Sequence, residues 1–381
     1  MIYFDNAATT FPKPEIVYKE MDAWLRQSGV NPSRGNYKSA ISATDKVFET
    51  RGKLATLFNI ANPLQIIFTS NGTEALNLAL KGILKPGDHV ITTSMEHNSM
   101  IRPIIKLAEI GVEYTIVPAD QLGIVHPEKV KEAIRPNTKL IAMIHASNVT
   151  GTIQPVIEIG RLAKTHDLLF LVDAAQTAGG YPIDVEEMNI DLLAAPGHKG
   201  LLGPQGTGIL YIKEGISLQP LKEGGTGNQS ESLQQPVSMP ERYESGTLNT
   251  SGIVGLGAAV GFILEQGVEQ ILAHKKQLMT YFLEGLAPLS INVIGQSNLG
   301  VISLQLPDID AADASYLLDE AFSIATRSGL HCAPLAHQTL ETQQAGTVRF
   351  SFGYFNTTDE LDVALDALQK ICKMTFHNPS E

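Results

Sequence analysis

Between Gln65 and Lys213 short apolar runs alternate with segments whose apolar positions recur every three or four residues. Gln65–Ser70 is apolar and β-branched, the make-up of a buried strand. Glu74–Ile83 then places Leu76, Leu80 and Ile83 on one helical face. His89–Thr93 predicts the next strand, a helix follows as far as Glu109, and Val112–Val117 predicts a third strand. Lys139–His145, Leu168–Asp173, Ile190–Ala195 and Gly208–Ile212 predict further strands of the buried type. Strands that alternate with helices are joined by right-handed crossovers, which gives a mainly parallel sheet covered on both faces. Such sheets bind ligands beyond the carboxyl ends of their strands.

The pattern changes after Lys213. Lys222–Glu244, rich in Gly, Gln, Ser and Pro, reads as a long loop. Two helices are predicted next, Ser251–Gln266 and Val268–Leu286. Strands at Gly300–Leu306, Ser323–Thr326 and Gly346–Phe352 then mix with helices at Ala311–Ala321 and Thr358–Cys372. The expected fold class is therefore α/β. A large, mainly parallel domain spans residues 15–250, and a smaller α+β domain is made of residues 1–14 with 251–381. Met21, Trp24 and Phe48 show helical spacing at best, and core packing is the expectation for them.

Composition narrows the function classes. The 381 residues exceed one typical core and fall short of three. With 18% charged and 43% hydrophobic residues, the chain has the make-up of a folded protein. A formal net charge of -12, without a Lys/Arg cluster, argues against nucleic-acid binding. Met1–Thr10 lacks a basic segment leading into a long apolar run, so no signal peptide is expected. The longest apolar stretch, Gly252 to Leu264, is too short for a membrane span. Two cysteines, Cys332 and Cys372, make no disulfide framework, and a reducing cytoplasm is the expected setting. His126, His166, His274 and His377 show no paired ligand spacing, so no structural metal is expected.

Polar residues stand at the ends of the predicted strands. In Gly197-His198-Lys199-Gly200, Lys199 follows a buried strand and would face the crevice at the sheet's carboxyl edge. A lysine desolvated there, near other cations, becomes a competent amine nucleophile, although a plain loop lysine is the simpler reading of that residue alone. Asp173 ends the apolar strand Leu171-Val172-Asp173. A buried carboxylate needs a cationic partner, such as a pyridinium nitrogen, unless it only caps the next helix. Ser70-Asn71-Gly72-Thr73-Glu74 links a strand to a helix, which suits a phosphate group or an ordinary N-cap. Glu96-His97-Asn98 and His145-Ala146-Ser147-Asn148 end two further strands. His97 there could stack on an aromatic ring or transfer protons. Convergence of five such groups on one edge is poorly explained by coincidence.

In order, spacing and residue types these motifs resemble the fold-type I, class V aminotransferase-like enzymes, and within them the cysteine desulfurases. The resemblance runs from Tyr3-Phe4-Asp5-Asn6-Ala7-Ala8-Thr9-Thr10 to Val348-Arg349-Phe350-Ser351, nearly the whole chain. It implies a pyridoxal 5'-phosphate cofactor carried as a Schiff base on Lys199. Asp173 would pair with the pyridine nitrogen, Gln176 would reach the ring hydroxyl, and His97 would stack on the ring. Gly72, Thr73 and His198 would hold the phosphate. Asn148 would lie near the ring hydroxyl and the substrate, and Arg349 would clamp the substrate carboxylate with its planar fork. Glu244-Ser245-Gly246-Thr247 is similar to the segment by which a partner subunit reaches the phosphate, so Thr247 would complete the site of a homodimer. Pro196 departs from the family, which often has Ser there, and one phosphate donor is thereby missing or replaced.

Arg327-Ser328-Gly329-Leu330-His331-Cys332-Ala333 is similar to the group II desulfurase motif Arg-x-Gly-His-His-Cys-Ala, with Leu330 in place of the first His. Cys332, in a Gly-containing, Pro-flanked loop, is the expected nucleophile, with His331 and Arg327 as candidate cations beside it. The plainer reading of Cys332 is a small loop residue. Cys372 is in phase with Leu361, Leu365 and Leu368 and reads as core. The implied reaction turns L-cysteine into L-alanine and leaves a persulfide on Cys332. An acceptor protein then takes the sulfur, for iron–sulfur clusters, thiolated tRNA or cofactors. Selenocysteine lyase, a C–S β-lyase and another class V aminotransferase-like reaction are the rivals on the same cofactor. A non-catalytic scaffold is the rival from another class.

Overall fold

The computed structural model describes residues 1–32, 35, 37–227 and 231–375. His377 and residues 228–230 of the long loop lie outside them. The elements run in the expected alternation. β1 (Ile2–Tyr3), α1 (Glu15–Gln27) and α2 (Lys38–Phe58) lead into β2 (Ile66–Thr69), α3 (Gly72–Ile83), β3 (His89–Thr93), α4 (Asn98–Ala108) and β4 (Glu113–Val117). Next come α5 (Pro127–Glu132), β5 (Thr138–Ile144), α6 (Val156–Thr165), β6 (Leu169–Asp173), β7 (Leu192–Pro196) and β8 (Gly208–Ile212). The described part of the loop carries no further helix or strand before α7 (Thr250–Gln266).

A seven-stranded sheet takes the order β2-β8-β7-β6-β5-β3-β4. All neighbours are parallel except those of β8, which runs against both β2 and β7. The connection 197–207 explains the exception, because it is too short to hold a crossover helix. Period-2 alternation sends the strands' side chains to two cores. Ile141, Met143, Phe170 and Val172 join the core on one face, and Leu140, Ala142 and Leu171 join the core on the other. The central strands β5, β6, β7 and β8 are therefore apolar over most of their length, which is why they were legible in the sequence.

The rest of the chain forms α8 (Val268–Leu286), β9 (Asn292–Ile294), β10 (Val301–Gln305), α9 (Ala311–Phe322), β11 (Ile324–Ala325), β12 (Arg327–Gly329), α10 (Pro334–Thr339), β13 (Thr347–Ser351) and α11 (Thr358–Thr375). A four-stranded antiparallel sheet, β12-β13-β10-β9, packs with α8, α9 and α11 around a third core. Phe4, Phe282, Phe350 and Phe352 meet there edge-on or tilted, with centroids 5.1–5.9 Å apart. β1 brings the N-terminus to this body by pairing with β11. Cys372 is buried in the same core, as its helical phase predicts. α7 carries Ile253, Leu256, Val260 and Ile263 into the larger core.

The N-terminal helices hold a correction. Trp24 is buried and Met21 packs against the large core, but Phe48 is exposed on α2. Among the described residues no single helix is long and apolar enough to cross a membrane.

Candidate active site

Each polar group reaches the site because a strand ends beneath it. β2 leads through Asn71 into α3, and the Asn71 side chain caps that helix by accepting from Glu74 N at 2.9 Å. Gly72 and Thr73 form the first turn, whose N–H groups have no partner within the helix. A Cβ on Gly72 would lie 3.2 Å from the Pro196 ring, so a side chain there would press the helix start against the end of β7. β3 delivers His97, β5 delivers Asn148, β6 ends on Asp173, and β7 leads to His198 and Lys199. Gly72, Thr73, His97, Asn148, Asp173, Gln176, His198 and Lys199 line one cavity of about 170 Å³.

Burial sets the electrostatics of this cavity. Desolvation lowers the Lys199 ammonium to about 8, against the pull of Asp173 and with the push of Arg349 and Arg327. The Asp173 carboxyl is pushed up by burial, while the Ala175 N–H at 2.9 Å and Lys199 draw it down. Burial, aided by Lys199, holds His97 and His198 near 4, so both rings are neutral at neutral pH. Ser99 N–H donates to His97 Nδ1 at 3.1 Å, which places the ring proton on Nε2. Buried Asn148 Oδ1 and His198 Nδ1 have no hydrogen-bond partner.

Arg349 stands one bond behind the cavity. It is 1% exposed, its Nη1 donates to Asn148 O at 3.0 Å, and its Nη2 meets Asp5 Oδ1 at 2.6 Å. The fork thus already holds a carboxylate, while its Nε has no partner. Cys332 is exposed on the turn after β12. Its carbonyl accepts from Asn98 N at 2.8 Å, which seats the turn beside His97. Asn148 Nδ2 donates to His331 O at 2.7 Å. His331 and Cys332 both adopt left-handed backbone, φ 50° and 59°, so these bonds hold a strained turn in place. Thr247 is not brought to the cavity. It is exposed in the segment after Glu244, whose carboxylate is buried against Arg51 and accepts from Phe68 N at 2.6 Å.

Of the two cations expected beside Cys332, one is corrected. Arg327 Nη2 lies 3.4 Å from Cys332 Sγ. His331 does not serve, because burial and then the charge of Arg349 push it down to about 2, and its Nε2 pairs with Thr347 Oγ1 at 2.9 Å.

The sequence reading passed over three groups at the site. Asp5 pairs with Arg349. Lys13 Nζ and Thr10 N hold the His198 carbonyl at 2.7 and 3.1 Å. Ser99 lines the cavity and touches both Thr73 and His97. Ser99 alone had a local signal, being a hydroxyl two residues after a histidine that starts a helix. The other two are assembled by long-range packing.

A lysine and a buried aspartate meet at the carboxyl edge of the sheet, and the family model "Aminotransferase class-V" matches residues 2–364. A "Probable cysteine desulfurase" of Methanothermobacter thermautotrophicus is 36% identical, over 98% of this chain and 95% of its own. The "Cysteine desulfurase IscS" of Dictyoglomus turgidum is 33% identical, over 97% and 94%. The solved apo structure of cysteine desulfurase from Thermococcus onnurineus NA1 superposes with a TM-score of 0.93 at 35% identity, covering 98% of this chain and 95% of that one. The chain belongs to the cysteine desulfurase family.

Proposed function

We propose that this enzyme takes sulfur from L-cysteine, with pyridoxal phosphate bound in the cavity on Lys199 and Cys332 as the sulfur acceptor. The observation that carries the reading is the single cavity in which Lys199, Asp173, His97 and the start of α3 meet. The residues fit that cofactor. Among the described residues Asp173 is a buried carboxylate with no side-chain cation in hydrogen-bond contact, and Asn148 Oδ1 and His198 Nδ1 lack partners, while the N–H groups of α3 suit a phosphate. When bound, pyridoxal phosphate supplies an electron sink for charge developing on the substrate. Asp173 would face its ring nitrogen, Gln176 and Asn148 its ring hydroxyl, and Gly72, Thr73 and His198 its phosphate.

The protein's own groups then divide the work. Lys199, with its lowered ammonium, holds the cofactor and moves the substrate Cα proton. Arg349 exchanges Asp5 for the substrate carboxylate. Cys332 Sγ, as thiolate beside Arg327, attacks the substrate sulfur. A sulfur–sulfur bond forms and the Cβ–S bond breaks. Its electron pair stays with Cβ, which takes up a proton to become the methyl group of L-alanine. Cys332 keeps the sulfur as a persulfide until an acceptor removes it.

Three further parts of the reading are proposals of the same kind. The active unit is a homodimer in which Thr247 serves the partner's cavity. Cytoplasm, a reducing compartment, suits an exposed thiol. The division into residues 15–250 and 1–14 with 251–381 is supported by separate cores, except that α7, at the start of the second segment, packs in the larger core.

The test supplies L-cysteine to purified protein and measures alanine, sulfide and protein-bound persulfide. Wild type and Cys372→Ala should make alanine and carry persulfide, and Cys332→Ala should lose both. If Cys332→Ala released sulfide as fast as wild type, a β-lyase reading would take over. Selenocysteine tried in parallel settles the preference that Leu330 leaves open.

A further inference from the structure

Of the two side-chain hydroxyls that line the cavity, Thr73 has a role in the reading above and Ser99 has none. It stands in the first turn of α4, across from the first turn of α3. Its Oγ lies 2.7 Å from Thr73 Oγ1 and 2.9 Å from His97 Nδ1, and its N–H donates to that same Nδ1 at 3.1 Å. At the end of β7, Pro196 lines the cavity with a ring that has neither N–H nor hydroxyl.

The proton inventory gives these contacts a direction. His97 Nδ1 has one lone pair, and Ser99 N–H is aimed at it. The two hydroxyls share one hydrogen bond and hold two protons between them. In one arrangement Ser99 O–H donates to Thr73, and the Thr73 O–H faces the cavity. In the other, Thr73 donates to Ser99, whose own proton turns to His97 Nδ1 at 2.9 Å, and Thr73 has nothing left to give. An anion beside Thr73 selects the first, because a charged acceptor draws the stronger hydrogen bond and a chain of donors strengthens along its length.

We propose that Ser99 is a positioning residue that ties the phosphate-holding end of the cavity to His97: its hydroxyl aims the Thr73 O–H at the phosphate, and its N–H keeps the His97 ring as an Nε2–H donor. His97 thus presents a hydrogen-bond donor to the bound molecules, and its ring orientation is set by the residue that also sets Thr73. The neutral state of His97 agrees with this, since a protonated ring would have to give up the Ser99 N–H. The inference rests on the cofactor reading above.

The test compares two ligands on apoprotein, pyridoxal phosphate and pyridoxal, which lacks the phosphate. Dissociation constants are read by absorbance for wild type, Ser99→Ala and Ser99→Thr. Ser99→Ala should bind pyridoxal phosphate about tenfold more weakly, the size of effect expected for one hydrogen bond in a charged chain. Pyridoxal should bind all three proteins alike, and Ser99→Thr should restore pyridoxal phosphate. Nitrogen–proton NMR of labelled histidine should show His97 protonated at Nε2 in wild type. Equal affinity of wild type and Ser99→Ala for pyridoxal phosphate would overturn the proposal. So would an equal loss for both ligands, or a wild-type His97 protonated at Nδ1. Wild-type protein that bound neither ligand would overturn the cofactor reading itself.

Discussion

Lys199 shows how a residue acquires chemistry from its surroundings. An ordinary lysine keeps its proton up to about pH 10.4. Here solvent is stripped from the ammonium, and Arg349 and Arg327 add like charge, so the proton is lost near 8. The attacking form is the free amine, which prevails above that value. Capture of pyridoxal phosphate by apoprotein, followed by stopped-flow absorbance, should therefore speed up as pH rises towards about 8 and level off beyond it. A rate still climbing at about 10.4 would mark Lys199 as an ordinary lysine. Cys332 makes the complementary point. Its sequence motif suggested two cations, but the guanidinium of Arg327 is the one that lies beside the thiol, since burial and the charge of Arg349 keep His331 neutral.

At the scale of elements, the site depends on short segments held by buried polar contacts. The turn from Gly329 to Cys332 includes three left-handed residues, Gly329 at φ 99°, His331 and Cys332. Hydrogen bonds from Asn98 and Asn148 fix it against α4 and the loop after β5. The loop expected from its glycine and proline is thus a clamped turn, with Sγ 3.4 Å from Arg327 Nη2. A second clamp is the buried pair of Arg51 on α2 and Glu244, with the guanidinium 4.4 Å from the Phe68 ring centre. Glu244 ends the long loop, and its Oε1 accepts from β2. Arg51→Met would leave that carboxylate buried without its cation, at a cost of about 3–5 kcal/mol. Urea unfolding should show this loss, and adding Glu244→Gln should recover part of it. A loss below about 1 kcal/mol would mean that the pair contributes no more than a surface one.

At the scale of the whole molecule, Gly72, Thr73 and His198 line the cavity, yet Thr247 lies elsewhere on the same chain. Glu244 anchors the segment while Gly246 and Thr247 remain exposed, and the proposed dimer would place Thr247 at the partner's cavity. Light scattering of the active protein should give twice 41.1 kDa. Thr247→Ala should lower cofactor retention without changing thermal unfolding of the apoprotein. A fully active monomer would exclude this assembly.

The central strands of the large sheet were legible because both of their faces are buried, so they are largely apolar runs that local composition reveals. Leu169–Asp173 and Thr138–Ile144 fall within a residue of their expected bounds. α1 and α2 were not, since their apolar positions are shared among several neighbours and part of each helix, Phe48 included, faces outward. Lys199, Asp173, His97 and Asn148 were legible as site residues because each follows a recognisable strand, and strand direction alone puts them on one edge. The pairing of Asp5 with Arg349, the grip of Lys13 on His198, the neutrality of His331 and the link from Thr73 through Ser99 to His97 were decided only by the tertiary structure. Hydrogen bonds and desolvation act over a few ångströms, and it is the fold that brings groups hundreds of residues apart within that reach.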